Sequence, residues 1–413
     1  MIGYIKGKLN ELLKAVLDPV WERIIKKYNT YSTVIQFSIA IGIGILGFLF
    51  SWGISNKEEI IEGVRIARYL PNVIFDKNSS TIPIHDYLRT ELLGEQDALK
   101  RSLRSVVLNP GTVDKDNSPW SNAQAISASI GAMNFKDQGE AIDKLRLAKF
   151  FDLNRDRICQ CWKEIPDDSY LPHIPATSWV IYTLSKLDVP ADDTEIEFLL
   201  GQQNSNGWWS VFNTHTNKDY ASTYGTAWAM LALHSQLSKN LVSKALQQKV
   251  RDALDLGGGW LIQHQSNGRW KNYPESDRGQ VSDSISGLVI HVLHRINSNS
   301  PSQKNLEHQW LRSLPEDPPT AFDFQSNYYW IRDKAIGDAN DNFMQFPLPW
   351  MLIATADSYG SASNILQKAK TIEWLERALE NKGLGEAETI RDFWWRAEIL
   401  LSINYILDHS EPT

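Results

Sequence analysis

Four acids stand just before small-residue, apolar stretches of the chain: Asp219, Asp283, Asp341 and Asp392. His173, His215, Arg278 and Arg391 accompany them, and Tyr224, Trp228, Tyr273, Trp330 and Trp394 supply aromatic rings. Carboxylates set against aromatic walls suit acid–base work on a sugar linkage. The rings alone suit a ligand that is apolar or sugar-like. We therefore expect Asp283 and Asp392 as catalytic acids. His173, Tyr224, Trp228, Ser282, Trp330, Arg391 and Trp394 are the expected ligand-binding set. Taken singly, each also reads as a capping Asp, a packed Trp or a solvated His.

Other chemistries are poorly supplied. The net charge of −7 over 413 residues lacks the basic footprint of a nucleic-acid binder. The two cysteines, Cys159 and Cys161, make neither a disulfide framework nor a Cys-rich zinc site, and one residue between them places them badly to pair with each other. No metal and no cofactor is expected. Asp167-Asp168 and Asp192-Asp193 read as helix caps. Gly257–Gly259 has no Gly-Lys-Ser/Thr after it and no strand before it, so it is a helix break, not a phosphate loop.

These residues must be carried by helices. Past a linker-like DKNSSTIP near 76–83, one pattern recurs: a polar, Trp-bearing turn, an apolar small-residue helix, then a charged helix. The apolar members begin near Ser121, Ala176, Ser222, Ser282, Phe346 and Asp392. Their charged partners fall at about 86–107, 138–161, 192–204, 241–264, 302–313 and 363–381, from the periodicity of helical repeats. Six hairpins predict an all-α chain, an (α/α)6 toroid, with an open solenoid of helix pairs as the alternative.

Two turns sharpen this. Trp260-Leu261, Gln265, Gly268 and Trp270 repeat the spacing of Phe198-Leu199, Gln203, Gly207 and Trp209. They resemble the QW motif of squalene and oxidosqualene cyclases and related prenyltransferase-like toroids; Arg157–Trp162 and Tyr328–Trp330 are weak echoes. The resemblance covers about residues 85–408. It implies a toroid whose axial cavity opens where the inner helices begin, with Trp270 clamping its turn to the next hairpin. It does not carry the family's chemistry across. Class II terpene cyclases use Asp-x-Asp-Asp at an inner-helix start. Here that stretch is Gln280-Val281-Ser282-Asp283, and Ser282 stands at the proton-donating position. The zinc-binding Asp, Cys, His set of protein prenyltransferases fails too, because no cysteine follows Cys161.

The N-terminal part carries a different signal. Thr33–Ile54 is uncharged, and as a helix it spans roughly 33 Å, enough for a bilayer core. It reads as a single transmembrane helix over 33–54. Residues 1–30 read as an amphipathic membrane-proximal helix, 55–84 as a linker, and 85–413 as the toroid domain. Lys14, Arg23, Lys26 and Lys27 before the span outnumber Lys57, Arg65 and Arg68 after it, a lean toward a cytoplasmic N-terminus. The expected partners are the lipid bilayer, a hydrophobic or glycan-like ligand, and a protein partner through the N-terminal helices; nucleic acid is not among them. Three classes stay open: a ligand-binding toroid, an enzyme of terpenoid or carbohydrate metabolism with a non-standard acid/base set, and a membrane scaffold or effector.

Overall fold

The computed structural model describes residues 66, 69, 70, 73, 80–110, 118–130, 144–163, 172–211, 221–275, 281–297, 300–318, 331–333, 341–343, 347–380 and 393–412. Thr33–Ile54 and residues 1–30 lie outside them. Among the described residues, no helix is long and apolar enough to cross a membrane.

Contacts divide the chain into two compact units, residues 1–79 with 362–373, and residues 80–361 with 374–413. In the first, Ile66, Tyr69 and Val73 are buried, although 55–84 was expected as linker. The second unit is helical apart from short strands. One of these, β1 (Ile82–Ile84), also falls within the expected linker.

Twelve helices occur among the described residues, alternating outer and inner in chain order. The outer ones are α1 (Asp86–Leu108), α3 (Lys144–Leu153), α5 (Asp193–Gly201), α7 (Gln247–Gln263), α9 (Pro301–Ser313) and α11 (Ile365–Glu380). The inner ones are α2 (Pro119–Ile130), α4 (Ile174–Lys186), α6 (Thr223–Ser238), α8 (Asp283–Asn297), α10 (Pro347–Ser358) and α12 (Phe393–Asp408). Inner helices are apolar nearly all round and buried nearly all round, as α4 and α8 show.

The inner helices pack in a closed circuit: α2 on α4, α4 on α6, α6 on α8, α8 on α10, α10 on α12, and α12 back on α2. Outside them, α1 lies on α2 and α12, α5 on α4, α7 on α6, and α9 on α8 and α10. Beside the join, β1 pairs in parallel with β6 (Ser410–Pro412). Two antiparallel pairs, β2 (Trp270–Lys271) with β3 (Val281–Ser282) and β4 (Ile331–Asp333) with β5 (Asp341–Phe343), complete the secondary structure.

The Trp-bearing turns set each inner helix in place. The Trp209 indole donates to the Leu199 carbonyl oxygen at 2.7 Å, and Trp270 does the same to Leu261 at 2.7 Å. Trp162 repeats the bond to Phe151 at 2.9 Å, so the weak echo at 157–162 is a third turn of the same kind. Each indole thus adds a second bond to a carbonyl in the last turn of its own outer helix, which a backbone N–H also reaches. The same three residues donate their backbone N–H to an inner-helix hydroxyl oxygen: Trp162 to Thr177, Trp209 to Thr226 and Trp270 to Ser286. Trp270 thereby ties its turn to the next hairpin, as expected, and the glycine of each turn adds a close approach of its own. Gly207 and Gly268 have φ of +102° and +72°, and a Cβ there would meet Leu256 O at 2.5 Å and Trp310 N at 3.0 Å. Only glycine lets each turn lie against the following outer helix.

Cys159 and Cys161 are joined by a disulfide, against the expectation that their spacing would keep them apart. Gln160, with φ +57°, turns the backbone between them so that both side chains face each other.

Candidate functional site

In an α-helix, residues four apart share a face. The sixth residues of four inner helices are Gln124, Trp179, Trp228 and Glu398, and all four are buried. They form one layer across the middle of the circuit. Trp179 and Trp228 lie with ring centroids 3.9 Å apart, and Trp350 of α10 meets Trp228 edge-on at 5.4 Å. Helices α6 and α10 are not neighbours in the circuit, so the Trp228–Trp350 contact spans its interior. Gln124 donates to Glu398 Oε1 at 3.2 Å, and the Trp350 side chain hydrogen-bonds the same carboxyl.

One turn nearer the helix starts, the second residues of α2, α6 and α12 are Trp120, Tyr224 and Trp394, each half-buried. Trp120 lies 5.0 Å from the His173 ring, Tyr224 lies 6.3 Å from Trp228, and Trp394 meets Trp395 edge-on at 5.1 Å. The arrangement is an aromatic rim over a closed aromatic floor. Burial pushes the Glu398 carboxyl up to about 8, against the two hydrogen bonds that favour its charged form. Glu398 is therefore mostly a neutral acid near pH 7.

The expected site residues divide among several roles. His173 is the N-cap of α4: its Nδ1 accepts from Ala176 N at 3.1 Å, and full burial lowers its pKa to about 3. Ser282 does the same work for α8, receiving Ile285 N at 3.2 Å, as Ser222 does for α6. Asp283 is buried and ion-paired with Arg269, which fits a charge held in place, not a proton donor. Trp228 belongs to the floor, and Tyr224 and Trp394 to the rim. Trp330, Arg391 and Asp392 lie outside the described residues. Asp192 joins Glu195 in a capping box at the start of α5.

The residues not anticipated are Gln124, Trp179, Trp350 and above all Glu398. A signal existed: Glu398 is the one acid in the apolar run of α12, four residues after Trp394. A second polar network lies toward the other ends of the inner helices. Asp357 of α10 takes His291 Nδ1 at 2.8 Å and the Tyr405 hydroxyl, while His294 meets Glu307 at 2.7 Å. Burial lowers the His291 pKa despite Asp357. For His294 burial works against the charge, but Glu307 and Asp357 outweigh it and raise the pKa. Among the described residues, no group of three His, Cys, Asp or Glu side chains is placed to hold a metal ion.

No family model matches the sequence, and no curated protein matches it. Solved structures are similar to it at low identity. A type II terpene cyclase from Scytonema, in complex with its product merosterolic acid A, is 12% identical, with 78% of this chain and 99% of that chain covered and a TM-score of 0.46. A GH76 alpha-mannanase from Bacteroides thetaiotaomicron is 10% identical, covering 75% and 94%, with a TM-score of 0.48. A protein from Actinoplanes is 10% identical, covering 75% and 99%, with a TM-score of 0.46. None of these likenesses is close enough to carry chemistry over.

Proposed function

We propose that the second unit is a toroid of α/α hairpins that binds a lipidic, isoprenoid or glycan-like ligand on its aromatic rim. The N-terminal segment is its membrane anchor. The observation that carries this reading is the placement of Trp120, Tyr224 and Trp394 one helical turn outside the layer of Trp179, Trp228 and Trp350. Half-buried rings over a buried floor offer apolar faces to a hydrocarbon chain or a sugar ring. The role of the standard acid motif is not filled: Ser282 caps a helix and Asp283 holds Arg269.

The test is binding by the full chain in detergent micelles, followed by tryptophan fluorescence, with farnesol and maltotetraose as probes. One of them should bind saturably, and Trp394→Ala or Tyr224→Ala should weaken it by about tenfold, the loss of a well-packed aromatic contact. If neither probe binds, or the rim variants change nothing, the reading is wrong. Fractionation tests the anchor: the chain should stay with membranes in alkaline carbonate, and removal of residues 1–56 should release it.

Glu398 favours a second reading, an enzyme of terpenoid or carbohydrate metabolism with a non-standard acid. A neutral carboxyl under an aromatic rim has the protonation state of a proton donor. Turnover abolished by Glu398→Gln with ligand affinity kept would select this reading over simple binding.

A further inference from the structure

The axial layer holds hydrogen-bond donors with nothing to donate to. Trp179 and Trp228 are buried, and among the described residues neither indole N–H has a partner. Trp162, Trp209 and Trp270, equally buried, each place the indole N–H on a backbone carbonyl. Leaving a buried donor unpaired costs about 1–3 kcal/mol, so two such donors in contact are an expensive arrangement for packing alone.

Glu398 adds a third donor to the same layer, through Trp350, which touches both it and Trp228. Its carboxyl receives Gln124 and Trp350, and burial keeps it mostly protonated. Among the described residues no cation neutralises the carboxyl either, since both partners are uncharged. The layer's unpaired groups are thus donors, in apolar walls, with no fixed positive charge among the described residues of the layer to meet an anion. A phosphate, which calls for a fixed positive charge, matches this poorly.

We propose that the axial layer selects an apolar ligand bearing an uncharged oxygen acceptor, a ketone, quinone, ester or ether, received by the indole N–H groups of Trp179 and Trp228 and the carboxyl of Glu398. This rests on the aromatic-rim binding reading and narrows its ligand class. The floor is closed in the free chain, so entry requires rim and floor side chains to turn aside. The bonds gained by the stranded donors offset that rearrangement. The ligand's oxygen end leads, and its hydrocarbon body remains among Trp120, Tyr224 and Trp394.

The experiment compares farnesylacetone, an isoprenoid ketone, with a hydrocarbon of matched length, farnesane, by calorimetric titration of the full chain in detergent. The ketone should bind about tenfold more tightly, the worth of one to two net hydrogen bonds. Trp228→Phe keeps a ring and removes the donor. It should weaken the ketone by several-fold and leave the hydrocarbon unchanged. Trp179→Phe gives the same comparison should Trp228→Phe fail to fold. Equal affinity for ketone and hydrocarbon in the unaltered chain overturns the donor proposal and leaves rim binding intact. Binding of maltotetraose alone overturns it in favour of a glycan. Binding of none of the three removes the rim reading as well.

Discussion

The Gln203 side-chain amide donates to the Ala253 carbonyl oxygen at 2.9 Å, joining the end of α5 to the middle of α7. The same nitrogen donates to Gly207 O at 3.0 Å inside its own turn. Gln265, its counterpart one repeat later, accepts from Gly268 N at 2.8 Å within its turn. Gln203→Leu should therefore cost about 1–2 kcal/mol, the worth of two net hydrogen bonds, and Gln265→Leu about half of that. Denaturant unfolding of the two variants checks the order.

Two glycines in neighbouring elements should respond in opposite ways to alanine. At Gly207 an alanine meets both a left-handed backbone and the Leu256 carbonyl, so Gly207→Ala should destabilise by more than about 1 kcal/mol. The expected helix break at Gly257–Gly259 does not occur, since α7 runs on to Gln263, and at Gly259, exposed within it, a Cβ meets nothing within 4 Å. Gly259→Ala should stabilise by about 0.5–1 kcal/mol through helix propensity. Thermal melts moving in the same direction would contradict this account.

Glu398 makes stability depend on pH in an uncommon direction for a carboxyl group. Its folded pKa is about 8 against an ordinary 4.5. Between those values the folded chain keeps a proton that the unfolded chain has released, so stability is full below about 4.5 and falls as pH rises through 8. Glu398→Gln should flatten that slope in urea unfolding measured from pH 5 to 9. A smaller slope of the same sign should remain from Glu195, raised by burial to about 7.

His173 acts at the acid end with the opposite sign. Its folded pKa is about 3 against 6.5, so its neutral form contributes stability above pH 6.5 that is lost as pH falls toward 3. Ser222 and Ser282 cap the equivalent helices with a hydroxyl. His173→Ser should keep the cap and remove the acid-side loss, seen as a growing stability advantage of the variant over the parent below pH 5. A variant that stays equally acid-sensitive would place the titration elsewhere.

The helices were legible because inner and outer segments differ in kind: apolar all round in α4 and α8, one charged face in α7 and α9. The two QW-like turns were legible because Gln, Gly and Trp recur at one spacing. The turn at 157–162 was read as degenerate because it lacks the glycine, yet Trp162 keeps the bond. The site was harder. Asp283 and His173 stood out by residue type, and their partners, Arg269 and Ala176 N, are what turn them into an ion pair and a cap. Glu398 and Gln124 are 274 residues apart in sequence, and nothing local joins them. The short strands were unreadable because two- and three-residue pairings leave no alternation to detect.

The parallel pairing of Ile82–Ile84 with Ser410–Pro412 has a consequence for how the unit can be built. A row of stacked repeats has a first and a last member, and cutting it changes which repeats are exposed. A circuit has neither. Joining residue 412 to residue 80 through a short linker and opening the chain instead between α6 and α7 should give a permuted protein with the same ring. Its hairpins would be translated in a different order and meet the same neighbours.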